Sequence, residues 1–163
     1  MIRTVFTAVG LAALAFGAAA PSFAVGGYKL INTIRNGGSL LTASDSDGAG
    51  TTTFFNLPEG PYQIAIDASK LTKPTIVKVQ VGRNAPLSSA PILPGRRSAA
   101  GSPDVLLSSA AGAPLTFVIP PGSGAPRGAK PKAVAGPAPR DANPLSTIVV
   151  TVATDEFGPT TPK

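Results

Sequence analysis

The sequence predicts an all-β protein: a small antiparallel β-sandwich with a cleaved amino-terminal signal peptide and a disordered Pro-rich insertion. Three observations carry this. Between residues 26 and 81, short runs of β-branched and aromatic residues alternate with polar ones at a period of two. Clusters of Gly, Pro, Asn and Asp divide these runs at spacings of roughly 8–12 residues, the rhythm of a sandwich. After residue 24, no stretch keeps a helical period for any useful length.

Taken in order, residues 1–24 read MIRTVFTAVGLAALAFGAAAPSFA. Arg3 precedes an apolar run over 5–20. Ser22 and Ala24 are the small residues that a signal peptidase inspects, which predicts export and cleavage after Ala24. The run is short for a bilayer core, which takes about 20 apolar residues. No later stretch is apolar enough to span a membrane, so no integral membrane segment is expected once the signal is removed.

Residues 25–82 form the predicted sandwich core. Tyr28, Leu30, Asn32 and Ile34 alternate with Lys29, Ile31, Thr33 and Arg35. Asn36, Gly37 and Gly38 signal a turn, and 39–43 a second strand. A loop at 44–50 leads to a β-branched and aromatic strand at 51–57. Pro58, Glu59, Gly60 and Pro61 turn the chain. Tyr62, Ile64 and Ile66 then share one face, and Val77, Val79 and Val81 share one face of the strand at 75–81. A core of this size buries little without staples, and the chain has no Cys to supply them. Support is therefore expected from later segments or from a neighbouring molecule.

Residues 83–119 form a Pro-rich segment with a candidate hairpin built from 104–108 and 115–119. Residues 120–144, PPGSGAPRGAKPKAVAGPAPRDANP, have little to bury and predict a disordered basic linker. Strong β character returns within 145–158, in STIVVTVA at 146–153, before a short tail at 159–163. This last strand either rejoins the sheet across the linker or pairs with another molecule.

Composition narrows the function. The absence of Cys excludes disulfides, thiolate metal sites and N-terminal lipidation at Cys. Export without disulfides suits a bacterial cell envelope, so the expected location is periplasmic or extracellular, at the cell surface. The chain also lacks His, and with it most zinc sites and most general-base machinery. Ser69 and Lys70 are the nearest approach to a nucleophile–base pair, but as neighbours on a strand they point to opposite faces. Neither catalysis nor a cofactor is expected. The precursor carries a net charge of +6, and the excess is local: residues 83–144 hold seven basic and two acidic residues.

Asp47 to Ile66 reads DGAGTTTFFNLPEGPYQIAI. It resembles the transthyretin-like β-sandwich modules also called carboxypeptidase regulatory-like domains, which share the two-sheet plan of Ig-like folds. Asp47 and Gly50 match the loop of that pattern, Phe54 its second aromatic, and Leu57, Pro58, Gly60 and Tyr62 its turn. Ile64 and Ile66 match the alternating apolar residues that follow. Thr52 departs from the pattern, standing where the first aromatic would be. The resemblance implies a fold and says almost nothing of function. The residues have structural duties of their own. Pro58 presets a turn dihedral, Gly60 takes positive φ, and the buried Tyr62 hydroxyl needs a partner near the start of its strand.

Two further candidates remain. Asp45 and Asp47 are calcium candidates, although the loop lacks a third acid and a distal bidentate Glu, and an ordinary solvated turn explains the same residues. Arg96, Arg97, Arg127, Lys130, Lys132 and Arg140, with Arg83, are the candidate polyanion contacts. Export argues against nucleic acid and for envelope polymers, while a charged, extended linker accounts for the same composition. The sequence therefore points to an exported, non-catalytic binding or structural module whose partner is a protein or an envelope polysaccharide. The alternatives are an appendage or adhesin-type subunit that self-associates by β-strand addition through 146–153, and a carbohydrate-binding module, which the lack of Trp disfavours.

Overall fold

The computed structural model describes residues 27–33, 39–43 and 50–154. The expected signal segment at 1–24, the expected turn at 36–38, Asp45, Asp47 and the tail at 159–163 lie outside them. The described residues are all-β, in two antiparallel sheets. The first sheet contains β1 (Tyr28–Asn32), β2 (Ser39–Ala43), β4 (Gly60–Asp67), β7 (Asp104–Leu106) and β8 (Phe117–Ile119). Its order is β2-β1-β4-β7, with β8 also on β4. The second contains β3 (Thr51–Phe55), β5 (Thr75–Val81), β6 (Leu87–Ser88), β9 (Lys132–Ala135) and β10 (Ile148–Thr154), in the order β6-β5-β10-β3-β9.

Alternation builds the core. Tyr28 and Leu30 of β1, Tyr62, Ile64 and Ile66 of β4, and Val77, Val79 and Val81 of β5 are buried as the period of two requires. They form one cluster with Phe54, Leu57, Phe117, Ile119, Ile148 and Val150, drawn from both sheets. Each fully buried side chain of this kind contributes about 1.5–3 kcal/mol, set against the entropy of ordering the chain.

Strand β3 breaks the alternation, because Thr52, Thr53, Phe54 and Phe55 are all buried. Topology explains this. Strands β9 and β10 flank β3, so the connection 136–147 must cross it. Thr53 Oγ1 donates to the Gly136 carbonyl at 2.7 Å under that crossing. Adjacent aromatics at 54 and 55 suit a strand covered on both faces.

The last strand returns to its own chain. β10 lies between β3 and β5, registered with β5 from Ile148↔Val81 to Thr154↔Thr75 and with β3 from Ile148↔Phe54 to Thr151↔Thr51. The expected support from later segments is thus present. Both sheets draw strands from either side of residue 82, which is not a structural boundary.

The candidate hairpin of 104–108 and 115–119 forms at its tip alone. β7 pairs with Ala65, Ile66 and Asp67, and β8 with Gly60, Pro61 and Tyr62, so each takes one end of β4. Only the tip between them closes on itself, through a Ser108–Pro114 bridge and a bond from Leu115 N to Leu107 O. The eight-residue β4 has an edge long enough for two three-residue strands, which the local pattern does not reveal.

One expectation is overturned: residues 120–144, expected as a disordered basic linker, are not structureless. It contains β9, which pairs with β3 from Thr52↔Ala135 to Phe55↔Lys132. Gly136 N donates to Thr51 O, and Ala125 N to Leu57 O. Tight turns join these anchors, including Ser123 N to Pro120 O and Ala129 N to Pro126 O. The segment is held by main-chain hydrogen bonds to a waiting strand edge, which a count of apolar side chains does not detect.

Candidate functional site

The turn between β3 and β4 is a structural joint. Gly60 has φ of 129°, and Asn56 takes the left-handed region at 56°. Phe54, Leu57, Tyr62, Ile64 and Ile66 are buried in the core. Tyr62 Oη donates to the Pro58 carbonyl at 2.6 Å, the partner near the strand start that its burial demands. A clasp closes over the turn: Gly122 N donates to Glu59 Oε2 at 2.9 Å. Gly124 packs so closely that a Cβ there would lie 2.5 Å from the Glu59 nitrogen. Pro58, Glu59, Gly122, Gly124, Ala125 and Arg127 line a cleft of about 280 Å³ beside it.

The basic candidates are all exposed, and the fold does not gather them. Gly95 N donates to Ala68 O, which places Arg96 and Arg97 beyond the carboxyl end of β4. Arg127 lies beside Pro58 and Glu59, before the amino end of the same strand. An eight-residue strand spans about 25 Å, so the two groups occupy opposite ends of the molecule. Lys132 pairs with Phe55, at the same end as Arg127. Arg140 rides on the crossing over β3.

Other polar groups are tied to the fold. Asp67 caps the 3-10 turn Ala68–Lys70, accepting from Ser69 N at 3.0 Å and Ser69 Oγ at 2.5 Å. These two bonds, the hydroxyl first, hold the Asp67 carboxyl below its ordinary pKa of 3.8. Ser69 and Lys70 therefore sit on a turn, not on a strand as their sequence setting suggests, and the Ser69 hydroxyl is engaged by Asp67. Lys29 pairs with Asp104 across β4. Thr75 Oγ1 donates to Lys73 O, Ser89 Oγ to Ala90 O, and Thr147 Oγ1 to Asn143 O. Among the described residues, no cluster of three or more carboxylates is arranged to hold a metal ion, and no helix is long and apolar enough to cross a membrane.

A larger cleft, about 390 Å³, lies along β7. That volume is within the range of small ligand sites, roughly 300–1,000 Å³. Its apolar lining comes from Pro91, Ile92, Val105, Leu106 and Pro114, and its charge from Arg96 and Arg97. The two arginines stand out in the sequence, whereas the lining does not. A partial signal of it lies in residues 91–97, PILPGRR, where two aliphatic residues precede two cations. The pairing of Thr75 with Ile92 and the bond from Ala90 N to Ser108 O bring that loop beside β7.

The described residues define the class: a two-sheet antiparallel β protein with a cationic, aliphatic-lined cleft at one sheet edge. Compared with family models, curated proteins and solved structures, the chain matches none.

Proposed function

We propose that the chain is an exported, non-catalytic recognition or structural module of a bacterial cell envelope, acting in the periplasm or at the cell surface. The observation that carries the reading is the division of its polar groups. The hydroxyls and carboxylates just described bind the protein's own main chain, each other or, for Asp104, Lys29, whereas Arg96 and Arg97 stand exposed beside an aliphatic-lined cleft. That arrangement serves binding better than bond-making. The transthyretin-like resemblance of residues 47–66 belongs to this reading, supported by the two antiparallel sheets and by the burial of the motif's apolar residues in a shared core. Assembly by strand addition would first require β10 to leave its place between β3 and β5.

The test is to express the chain with a carboxyl-terminal tag in a Gram-negative host, fractionate the cells and weigh the product by mass spectrometry. The expected product is periplasmic or extracellular and lacks residues 1–24. A full-length product confined to the cytoplasm refutes the reading.

A further inference from the structure

The cleft along β7 brings together three kinds of recognition chemistry. The first is main chain. β7 ends its sheet, and in an antiparallel pair alternate residues turn their N–H and C=O groups toward and away from the partner strand. Leu107 N donates to Ile64 O, and Ala68 N to Pro103 O. Pro103, Val105 and Leu107 therefore face β4, while Asp104 and Leu106 face outward. Asp104 N is taken by Ser102 Oγ at 3.1 Å. Leu106 is left with an outward N–H and C=O that have no partner among the described residues.

The second is apolar surface. The Leu106 side chain is 38% exposed and lines the cleft with Val105 and the buried Ile92. The third is charge. Arg97 Nη1 donates to Gly101 O at 3.1 Å, which steadies the loop and leaves other guanidinium donors free. Nearby carboxylates are committed elsewhere: Asp67 to Ser69, and Asp104 to Lys29. Among the described residues, neither Arg96 nor Arg97 has a carboxylate partner.

We propose that this cleft binds an extended segment of a partner protein that adds to the β7 edge at Leu106. The segment carries a carboxylate for Arg96 and Arg97, and an aliphatic or aromatic side chain for Ile92, Val105 and Leu106. This rests on the reading of the chain as a recognition module and names its partner class. A polyanionic glycan would satisfy the guanidiniums but leave the aliphatic lining and the Leu106 amide unmatched. A peptide strand meets all three. Residues two apart on a strand share a face, about 7 Å from one another, so the acidic and apolar residues of the ligand sit at alternate positions.

The probe is the blocked peptide TVTETVT, titrated into 15N-labelled mature protein and followed by amide shifts and by anisotropy of a fluorescein-labelled form. Saturable shifts centred on Leu106 are expected. Affinity is expected to fall at least tenfold for TVTQTVT and for the Arg96→Glu variant, whose exposed side chain leaves the melting temperature unchanged. N-methylation of alternate peptide amides is expected to abolish binding. Polyglutamate and anionic vesicles serve as competitors. If either displaces the peptide while the Leu106 amide stays unmoved, the cleft is only a polyanion surface and the proposal fails. An absence of shifts at millimolar TVTETVT also overturns it. Export is tested separately by fractionation, so failure of the cleft does not count against export.

Discussion

Replacing Tyr62 by Phe removes one oxygen from the core and keeps the ring. The hydroxyl lost is the donor to the Pro58 carbonyl at 2.6 Å, on a side chain with 0% exposure. A net hydrogen bond is worth about 1 kcal/mol, rising toward about 3 when the abandoned partner is left dry. Pro58 is half-buried and the bond is only partly buried, which favours the lower figure, about 1 kcal/mol. For a domain of this size that lowers the melting temperature by about 4 °C. Tyr62→Ala removes the ring as well and costs about 3–5 kcal/mol, comparable with the whole stability of a small domain. Urea unfolding of the protein, followed by circular dichroism, separates the two. Tyr62→Phe is expected to shift the midpoint slightly at constant slope, and Tyr62→Ala to unfold early or fail to fold. A Tyr62→Phe midpoint equal to the parent's, or a Tyr62→Ala protein as stable as the parent, refutes the assignment of this residue as the joint between turn and core.

Three other substitutions probe separate features. Thr52 is 1% exposed and its Oγ1 has no hydrogen-bond partner among the described residues, so Thr52→Val is expected to stabilise by about 1 kcal/mol, seen as a higher melting temperature. Gly124→Ala places a methyl against the Glu59 backbone and is expected to cost about 1–3 kcal/mol in a denaturant titration. Asp67 has a lowered carboxyl pKa, so its contribution is present above the unfolded value, near 4, and lost as the pH falls through the folded value. Asp67→Asn is expected to lower stability at pH 7 and to flatten the acid limb below pH 5, measured as unfolding midpoints at pH 7, 5 and 3.

The strand at 75–81 is legible from the sequence because burial on one face imprints a period of two on the residues themselves. The same holds for the inward residues of β4 and for the need of Tyr62 for a hydrogen-bond partner. β9 left no such imprint. Its four residues, Lys132–Ala135, are exposed or half-buried, and what holds them is the main-chain edge of β3, a property of another part of the chain. The cleft divides in the same way. Arg96 and Arg97 stand out as charge, but their apolar surroundings at Val105 and Leu106 arrive through strand pairing.

By itself the sequence determined the all-β class, the inward faces of its well-patterned strands and the chemistry of the β3–β4 turn. Those are local consequences of side-chain alternation, Pro and Gly dihedrals, and the need of a buried hydroxyl for a partner. Only the tertiary structure decided that the last strand sits at the centre of the second sheet, that a Pro-rich segment crosses β3, and that the basic residues divide between opposite ends of β4. Those outcomes depend on backbone groups of distant segments finding one another, and every residue other than proline carries the same donor and acceptor whatever its side chain.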